Sequence, residues 1–188
     1  SVGVNVEFSG KFTYAGLSEG VRVADWAAVF DKVTGALTSY KIDGTELLKE
    51  ALMPSFGRAP VENDLGAKLH VKSEVWRYPV FELLSFNVEK KADRYVVTTL
   101  YEIPVCQVSM TYDIFSDGSL SVSEKMIDTG ELSKAPDLFR YGMKFAMAGD
   151  FSTMDFYGLG PCDNYCDRNS SALLGHYTQR VEDQYWYG

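Results

Sequence analysis

Apolar and polar residues alternate with a period of two along most of the chain. Successive side chains of a β-strand point to opposite faces, so alternation of this kind predicts strands with one buried face. The clearest runs are residues 96–101, 108–114 and 120–122. Between the last two lies Asp117-Gly118, a pair that favours a tight hairpin turn. Because helical periodicity is almost lacking elsewhere, the pattern predicts an antiparallel meander with little helix.

Two segments break this alternation. Residues 52–66 contain Pro54, Pro60 and a polar run at 62–64, and residues 157–168 contain a Gly-Leu-Gly-Pro sequence followed by Asn and Asp. Pro lacks a backbone N–H, and Gly and Asn favour turns, so we expect both segments to be ordered loops that leave the sheets. Such loops often carry functional groups on a rigid scaffold. No repeat, linker or low-complexity segment divides the sequence, which predicts one domain over residues 1–188.

Composition and charge narrow the class of protein. The 188 residues, 46% of them apolar, suffice for a core that needs no disulfide or metal. The net charge of −8 argues against a nucleic-acid partner, because it would repel the phosphate backbone. No apolar run approaches the ~18 residues of a membrane span. The three cysteines fit neither a disulfide framework nor a four-ligand zinc site.

Candidate chemistry is sparse. Residues 158–161 lack the further Gly or the Lys of a phosphate-binding loop, and the sequence has no Gly-x-Ser-x-Gly elbow for Ser-His-Asp catalysis. Glu62 and Asp64 form the densest carboxylate pair, and glycosidases use two carboxyl groups about 5 Å or more apart. Both lie in one short segment, however. Pairing of Asp64 with Arg58, and hydrogen bonds from the Asn63 and Asp64 side chains to their own turn, are therefore favoured over a catalytic pair.

Three ordered motifs give the chain a resemblance to a known family. They are Phe30-Asp31-Lys32-x-Thr34-Gly35, then Arg58-Ala59-Pro60-x-x-Asn63-Asp64-x-Gly66, then Tyr157-Gly158-x-Gly160-Pro161-x-x-Asn164-Tyr165-x-Asp167-Arg168. In order and internal spacing they resemble the small-chain domain of family 2 β-galactosidases, from about residue 25 to the end. The sequence departs from the family at Gly57, where an aromatic residue or Thr is frequent, at Glu62, where Asp is common, and at Cys162-Asp163, where an acid usually follows the proline.

The resemblance implies a large antiparallel β-sandwich, similar to galactose mutarotase, that is excised from a longer enzyme and truncated before its closing strands. The parent would be a retaining β-galactosidase that removes terminal non-reducing β-D-galactose. Its catalytic glutamates, together with Mg²⁺ or Na⁺, would lie in a separate barrel domain, so this fragment would hold no catalytic residue, cofactor or metal. Expected partners are the other domains of the polypeptide, the β-galactoside and further copies of the enzyme, without nucleic acid or membrane, in a bacterial cytoplasm or periplasm.

The resemblance also implies roles for individual residues. The segment around the second motif would reach the mouth of the active site, so the substrate-loop candidates are Arg58, Glu62, Asn63, Asp64 and Gly66. We expect Arg58 to orient this loop through a fork-shaped pair with Asp64. The third motif would supply structural residues, which are Tyr157, Gly158, Gly160, Pro161, Tyr165, Asp167 and Arg168.

Two other hypotheses stay open at this point. The first is an independent carbohydrate-binding or aldose 1-epimerase-like domain, in which a His and an acid share one groove. His70 or His176 with Asp64 or Asp155 would have to serve, although no sequence spacing supports that arrangement. The second is a domain that only supports the quaternary structure of its enzyme, since a fold alone does not fix function.

Overall fold

The protein is described by a computed structural model over residues 5–15, 21–59, 62–66, 68–161, 170 and 172–184. The chain divides into two compact units, residues 1–146 and residues 147–188. Each unit is described by itself.

The first unit consists mainly of strands. These are β1 (Asn5–Ala15), β2 (Val21–Asp31), β3 (Leu37–Ile42), β4 (Thr45–Glu46), β5 (Glu50–Pro54), β6 (Glu82–Lys90), β7 (Arg94–Ile103), β8 (Cys106–Phe115), β9 (Leu120–Ile127) and β10 (Met143–Ala146). Three short helices, α1 (Glu62–Gly66), α2 (Leu69–Lys72) and α3 (Glu74–Arg77), lie between β5 and β6, and a 3-10 turn spans Leu132–Lys134. The strands form one sheet in the order β1-β2-β3-β5-β10, with β4 beside β3, and a second sheet in the order β6-β7-β8-β9.

The second sheet is the antiparallel meander that the alternation predicts. Strand β8 buries every second residue, and each of its residues pairs with one on β7. At the turn to β9 the Phe115 N–H donates to the Ser119 carbonyl at 2.9 Å, and Gly118 has a φ of 80°. Only glycine adopts this conformation without strain. The predicted Asp117-Gly118 hairpin is confirmed.

The two sheets of the first unit pack face to face around a shared core. The first sheet contributes Phe8, Trp26, Ala28, Phe30, Leu37 and Leu52, and the second contributes Val97, Tyr101, Met110, Tyr112 and Ile114. The rings of Phe30 and Tyr112 meet edge to face with their centres 5.0 Å apart. Burial of each large apolar side chain stabilises the fold by about 1.5–3 kcal/mol. This unit is therefore a β-sandwich, which confirms the all-β fold class.

The second unit contains an antiparallel hairpin of β11 (Thr153–Gly160) and β12 (Leu173–Arg180), followed by a 3-10 turn at Val181–Gln184. The prediction that residues 157–160 form a loop is therefore wrong, because these residues belong to β11. A Cβ atom added to Gly160 would lie 3.0 Å from the Tyr177 ring, and one added to Gly175 would lie 3.1 Å from the same ring. The glycines thus make room for an aromatic side chain rather than form a turn.

The prediction of a loop at residues 52–66 is also wrong at both ends. Strand β5 continues to Pro54, and α1 begins at Glu62, so within the described residues only 55–59 lack regular structure. Pro54 is the last residue of its strand, a position where the missing N–H interrupts no further pairing. No helix in the described ranges is long and apolar enough to cross a membrane.

Candidate functional site

The segment after β5 is held by an ion pair between Arg58 and Asp64. Arg58 Nη1 donates to Asp64 Oδ2 at 2.5 Å, and Nη2 donates to Oδ1 at 3.3 Å, so the two groups meet as two forks. Asp64 is only 5% exposed, whereas the Arg58 side chain is 36% exposed. A buried carboxylate requires such a partner, because burial of an unpaired charge is costly. The predicted pair is confirmed, and it ties α1 to the end of β5.

The Arg58 head group has two further contacts. Nη1 also donates to the carbonyl oxygen of Ala59 at 3.0 Å. The guanidinium carbon lies 4.8 Å from the centre of the Phe139 ring, which is within the range of a cation–π interaction. A carboxylate, a backbone carbonyl and an aromatic face thus hold the guanidinium in one orientation.

A small aromatic cluster lies beneath this segment. Phe56 and Trp76 are each 1% exposed, and their ring centres are 5.9 Å apart. The indole Nε1 of Trp76 donates to the carbonyl oxygen of Pro136 at 2.6 Å. Between Phe56 and Arg58, a Cβ atom added to Gly57 would lie 2.8 Å from the Cα atom of Arg77. Glycine at this position therefore allows the end of α3 to pack directly against the segment.

A cleft of about 740 Å³ opens beside the Arg58 segment. Its lining includes the aromatic residues Phe56, Trp76, Tyr78 and Phe81 and the cationic residues Arg58, Arg77, Arg140 and Lys144. No Asp or Glu is among the described residues that line it. Arg77, Arg140 and Lys144 belong to none of the sequence motifs. They are separated by up to 67 positions and no local motif links them, so only the fold brings them together.

The other predicted loop residues lie on α1. Glu62 and Asn63 are the first two residues of this helix, and their side chains fall outside the described part of the chain. Gly66 is the last residue of the helix and is exposed. Leu65 is 49% exposed. Helix α1 is therefore anchored through Asp64 and exposes its last two residues to solvent.

The structure locates part of the third motif. Tyr157 lies on β11 opposite His176 and is 72% exposed, and Gly158 lies opposite Gly175. Pro161 directly follows β11, and its carbonyl oxygen accepts a hydrogen bond from Gln179 Nε2 at 2.8 Å. The remaining motif residues, Tyr165, Asp167 and Arg168, lie outside the described residues, so their roles stay predictions.

The residues required for an epimerase-like site are not among the described residues that line the 740 Å³ cleft. His176 and Asp155 are exposed on the neighbouring strands β12 and β11, and Thr178 Oγ1 donates to Asp155 Oδ1 at 2.5 Å. His70 lies on α2, with its side chain outside the described part. None of these three residues lines the 740 Å³ cleft. Among the described residues, no group of three or more His, Cys, Asp and Glu side chains could hold a metal ion.

One carboxyl group that does not line the cleft has an unusual environment. Both carboxylate oxygens of Glu124 on β9 are buried, and neither has a hydrogen-bond partner among the described residues. Desolvation raises the pKa of Glu124 to about 7.

Burial, assisted by the charge of Asp128, raises the pKa of the Cys106 thiol to about 11, so this cysteine is a protonated core residue rather than a nucleophile.

Residues 22–187 match the protein family described as the β-galactosidase small chain. The chain belongs to this family. It is 30% identical over 168 residues to a β-galactosidase of Priestia megaterium, and the matched stretch covers 87% of this chain and 16% of that protein. It is 28% identical over 178 residues to a β-galactosidase of Halalkalibacterium halodurans, and the matched stretch covers 92% of this chain and 18% of that protein. The chain thus spans less than a fifth of the length of these two relatives.

The sequence departure expected at Gly57 coincides with a tight contact in the structure. The space that a larger side chain needs at this position is occupied by the backbone of α3, at Arg77. Glycine at position 57 therefore goes together with a close approach of α3 to the Arg58 segment.

Proposed function

We propose that this chain is the accessory β-sandwich domain of a retaining β-galactosidase that hydrolyses terminal non-reducing β-D-galactose residues. In this proposal residues 58–66 form part of the rim of an active site whose catalytic glutamates belong to a separate barrel domain of the same polypeptide. Any Mg²⁺ or Na⁺ would also be bound there. The chain alone performs no hydrolysis.

The observation that supports a rim role is the Arg58–Asp64 pair. Residues that shape a substrate site must be held to within about 0.5 Å of their working geometry, and this is best achieved by buried, hydrogen-bonded supports. The pair supplies such a support on the inner side of α1, while Leu65 and Gly66 are exposed. The segment therefore combines a fixed base with a surface that is available to another domain or to substrate.

Kinetics of the full-length enzyme test this role. Arg58→Ala removes the paired guanidinium from the buried Asp64 carboxylate, so it is compared with the double variant Arg58→Ala/Asp64→Ala, which removes both charges. We expect both variants to raise KM or lower kcat by about tenfold with a small β-galactoside, through loss of substrate positioning. The matched control is Arg22→Ala, which changes an exposed arginine on β2.

Unchanged kinetics in both variants, with the domain still folded, would refute the rim role. The isolated chain supplies a second test. We expect neither release of galactose from a β-galactoside nor faster rotation of α-galactose. Catalysed rotation would instead assign the chain to the aldose 1-epimerase-like class.

A further inference from the structure

Three cationic side chains in the 740 Å³ cleft have no charged partner among the residues that the structure describes. Arg77, Arg140 and Lys144 line it together, and none of them forms a salt bridge with another described residue. Arg58 differs, because it is paired with Asp64. In a chain whose net charge is −8, this cluster is a local reversal of sign. Such a concentration of positive charge favours an anionic occupant.

The surroundings of these cations resemble the centre of a protein interface. The guanidinium carbon of Arg77 lies 5.2 Å from the centre of the Tyr78 ring, and Arg77 Nη2 donates to the Tyr78 hydroxyl at 3.3 Å. Tyr78 is 72% exposed, and Val80 is 79% exposed. Tyrosine and arginine are enriched among the residues that dominate binding at interfaces. Exposed cationic and aromatic side chains above buried aromatic ones fit a polypeptide better than a small ion.

The rest of the polypeptide is the natural source of that occupant. The chain covers 16% and 18% of the lengths of the two β-galactosidases described above, so a polypeptide of that length would contain many further segments that could face the cleft. Carboxylates that enter the cleft would form charge-assisted hydrogen bonds with the guanidinium and ammonium groups, which are stronger than bonds between neutral groups. We infer that this cleft is the docking site of an acidic, carboxylate-bearing segment of the same polypeptide outside residues 1–188.

This inference goes beyond the proposed function, because it concerns how the domain is attached to its enzyme and not what residues 58–66 do for substrate. The two can fail separately. The docking inference is tested by cross-linking and hydrogen exchange with variants of Arg77, Arg140 and Lys144, whereas the rim role is tested by the kinetics of the Arg58 and Asp64 variants.

A zero-length cross-link tests the chemistry of the occupant. A water-soluble carbodiimide joins an amine to a carboxylate that it directly contacts, and Lys144 supplies the amine. In the full-length polypeptide we expect Lys144 to be linked to an Asp or Glu outside residues 1–188. The control Lys144→Arg keeps the charge but lacks the amine, so it should lose this product. A Lys144 that stays unlinked, or that links only within residues 1–188, would overturn the inference.

Charge reversal tests the docking itself. In the full-length polypeptide the double variant Arg77→Glu/Arg140→Glu should make the backbone amides of residues 76–81 exchange about tenfold or more faster, because like charges now face each other. The control Arg22→Glu/Lys32→Glu reverses two exposed charges elsewhere and should leave this exchange unchanged. Slow exchange of the β8 backbone amides in each variant shows that the sandwich is folded. If the glutamate variant fails to fold, Arg77→Gln/Arg140→Gln replaces it, and the amides of residues 76–81 should again exchange faster.

A small anion is the competing occupant, and citrate serves as its probe. If citrate added to the full-length polypeptide slows exchange at residues 76–81, the cleft is open to solutes and the docking inference is wrong. Equal exchange in the charge-reversed and control variants would also contradict it.

Discussion

The buried carboxyl group of Glu124 should make the stability of this domain fall as pH rises. Glu124 lies on β9 opposite Met110 of β8, and both of its carboxylate oxygens are buried. Desolvation raises its pKa from the ordinary 4.5 to about 7. Below pH 4.5 the group is neutral in the folded and the unfolded chain. Above that pH only the unfolded chain releases the proton freely, so stability is lost progressively until about pH 7 and is then constant.

The structure sets an upper bound on this effect. At 1.36 kcal/mol per pH unit, the difference between a pKa of about 7 and one of 4.5 corresponds to about 3.4 kcal/mol. Glu124 is only half-buried as a residue, and solvent screening weakens the effect of such a position. We therefore expect about 1–2 kcal/mol. Glu124→Gln keeps the shape of the side chain and removes the charge, so this variant should not share the loss.

Urea unfolding of the 188-residue chain between pH 4 and pH 9 measures the difference. The stability difference between wild type and Glu124→Gln near pH 4 is the reference. Above pH 7 this difference should shift in favour of the variant by about 1–2 kcal/mol. Glu82→Gln, which changes an exposed carboxylate on β6, is the matched control and should show no such trend. A Glu124→Gln effect of the same size at every pH would refute the electrostatic explanation.

Two other predictions concern the Arg58 segment. Gly57→Ala should destabilise the domain by about 1–3 kcal/mol in urea unfolding, because its Cβ would lie 2.8 Å from the Arg77 Cα atom, whereas Gly66→Ala meets no atom within 4 Å and should be nearly neutral. Equal effects would contradict the close approach. Arg58→Ala should cost more stability than Arg58→Ala/Asp64→Ala, by about 1–3 kcal/mol, because only the single variant keeps the buried Asp64 carboxylate after its guanidinium partner is removed. A double variant that is less stable than the single one would rule this out.

The sandwich could be predicted from the sequence where local pattern alone decides structure. In β7 and β8 one face of each strand is buried, so alternation and the Asp117-Gly118 turn were sufficient. The prediction for residues 157–160 is wrong because glycine can either form a turn or make room for a neighbouring side chain. Here it makes room for Tyr177, which lies on another strand. Helix α1 was missed because five residues are too few to show a period of 3.6.

The candidate site was predictable only in part, for a similar reason. The Arg58–Asp64 pair joins residues six positions apart, and their opposite charges were visible in the sequence. Arg77, Arg140 and Lys144 come from α3, from the connection before β10 and from β10 itself, so their convergence follows from sheet order rather than from any motif. Long-range convergence of this kind is invisible to a reading of local spacing.

The contact between Gly57 and the backbone of Arg77 has a consequence for protein engineering. Residues 55–59 and α3 are shaped to each other, since one accepts no side chain where the other approaches. A segment taken from a relative with an aromatic residue at position 57 would not fit on this scaffold by itself. A graft of residues 55–59 should therefore include residues 74–77, whose backbone sets the space available at position 57.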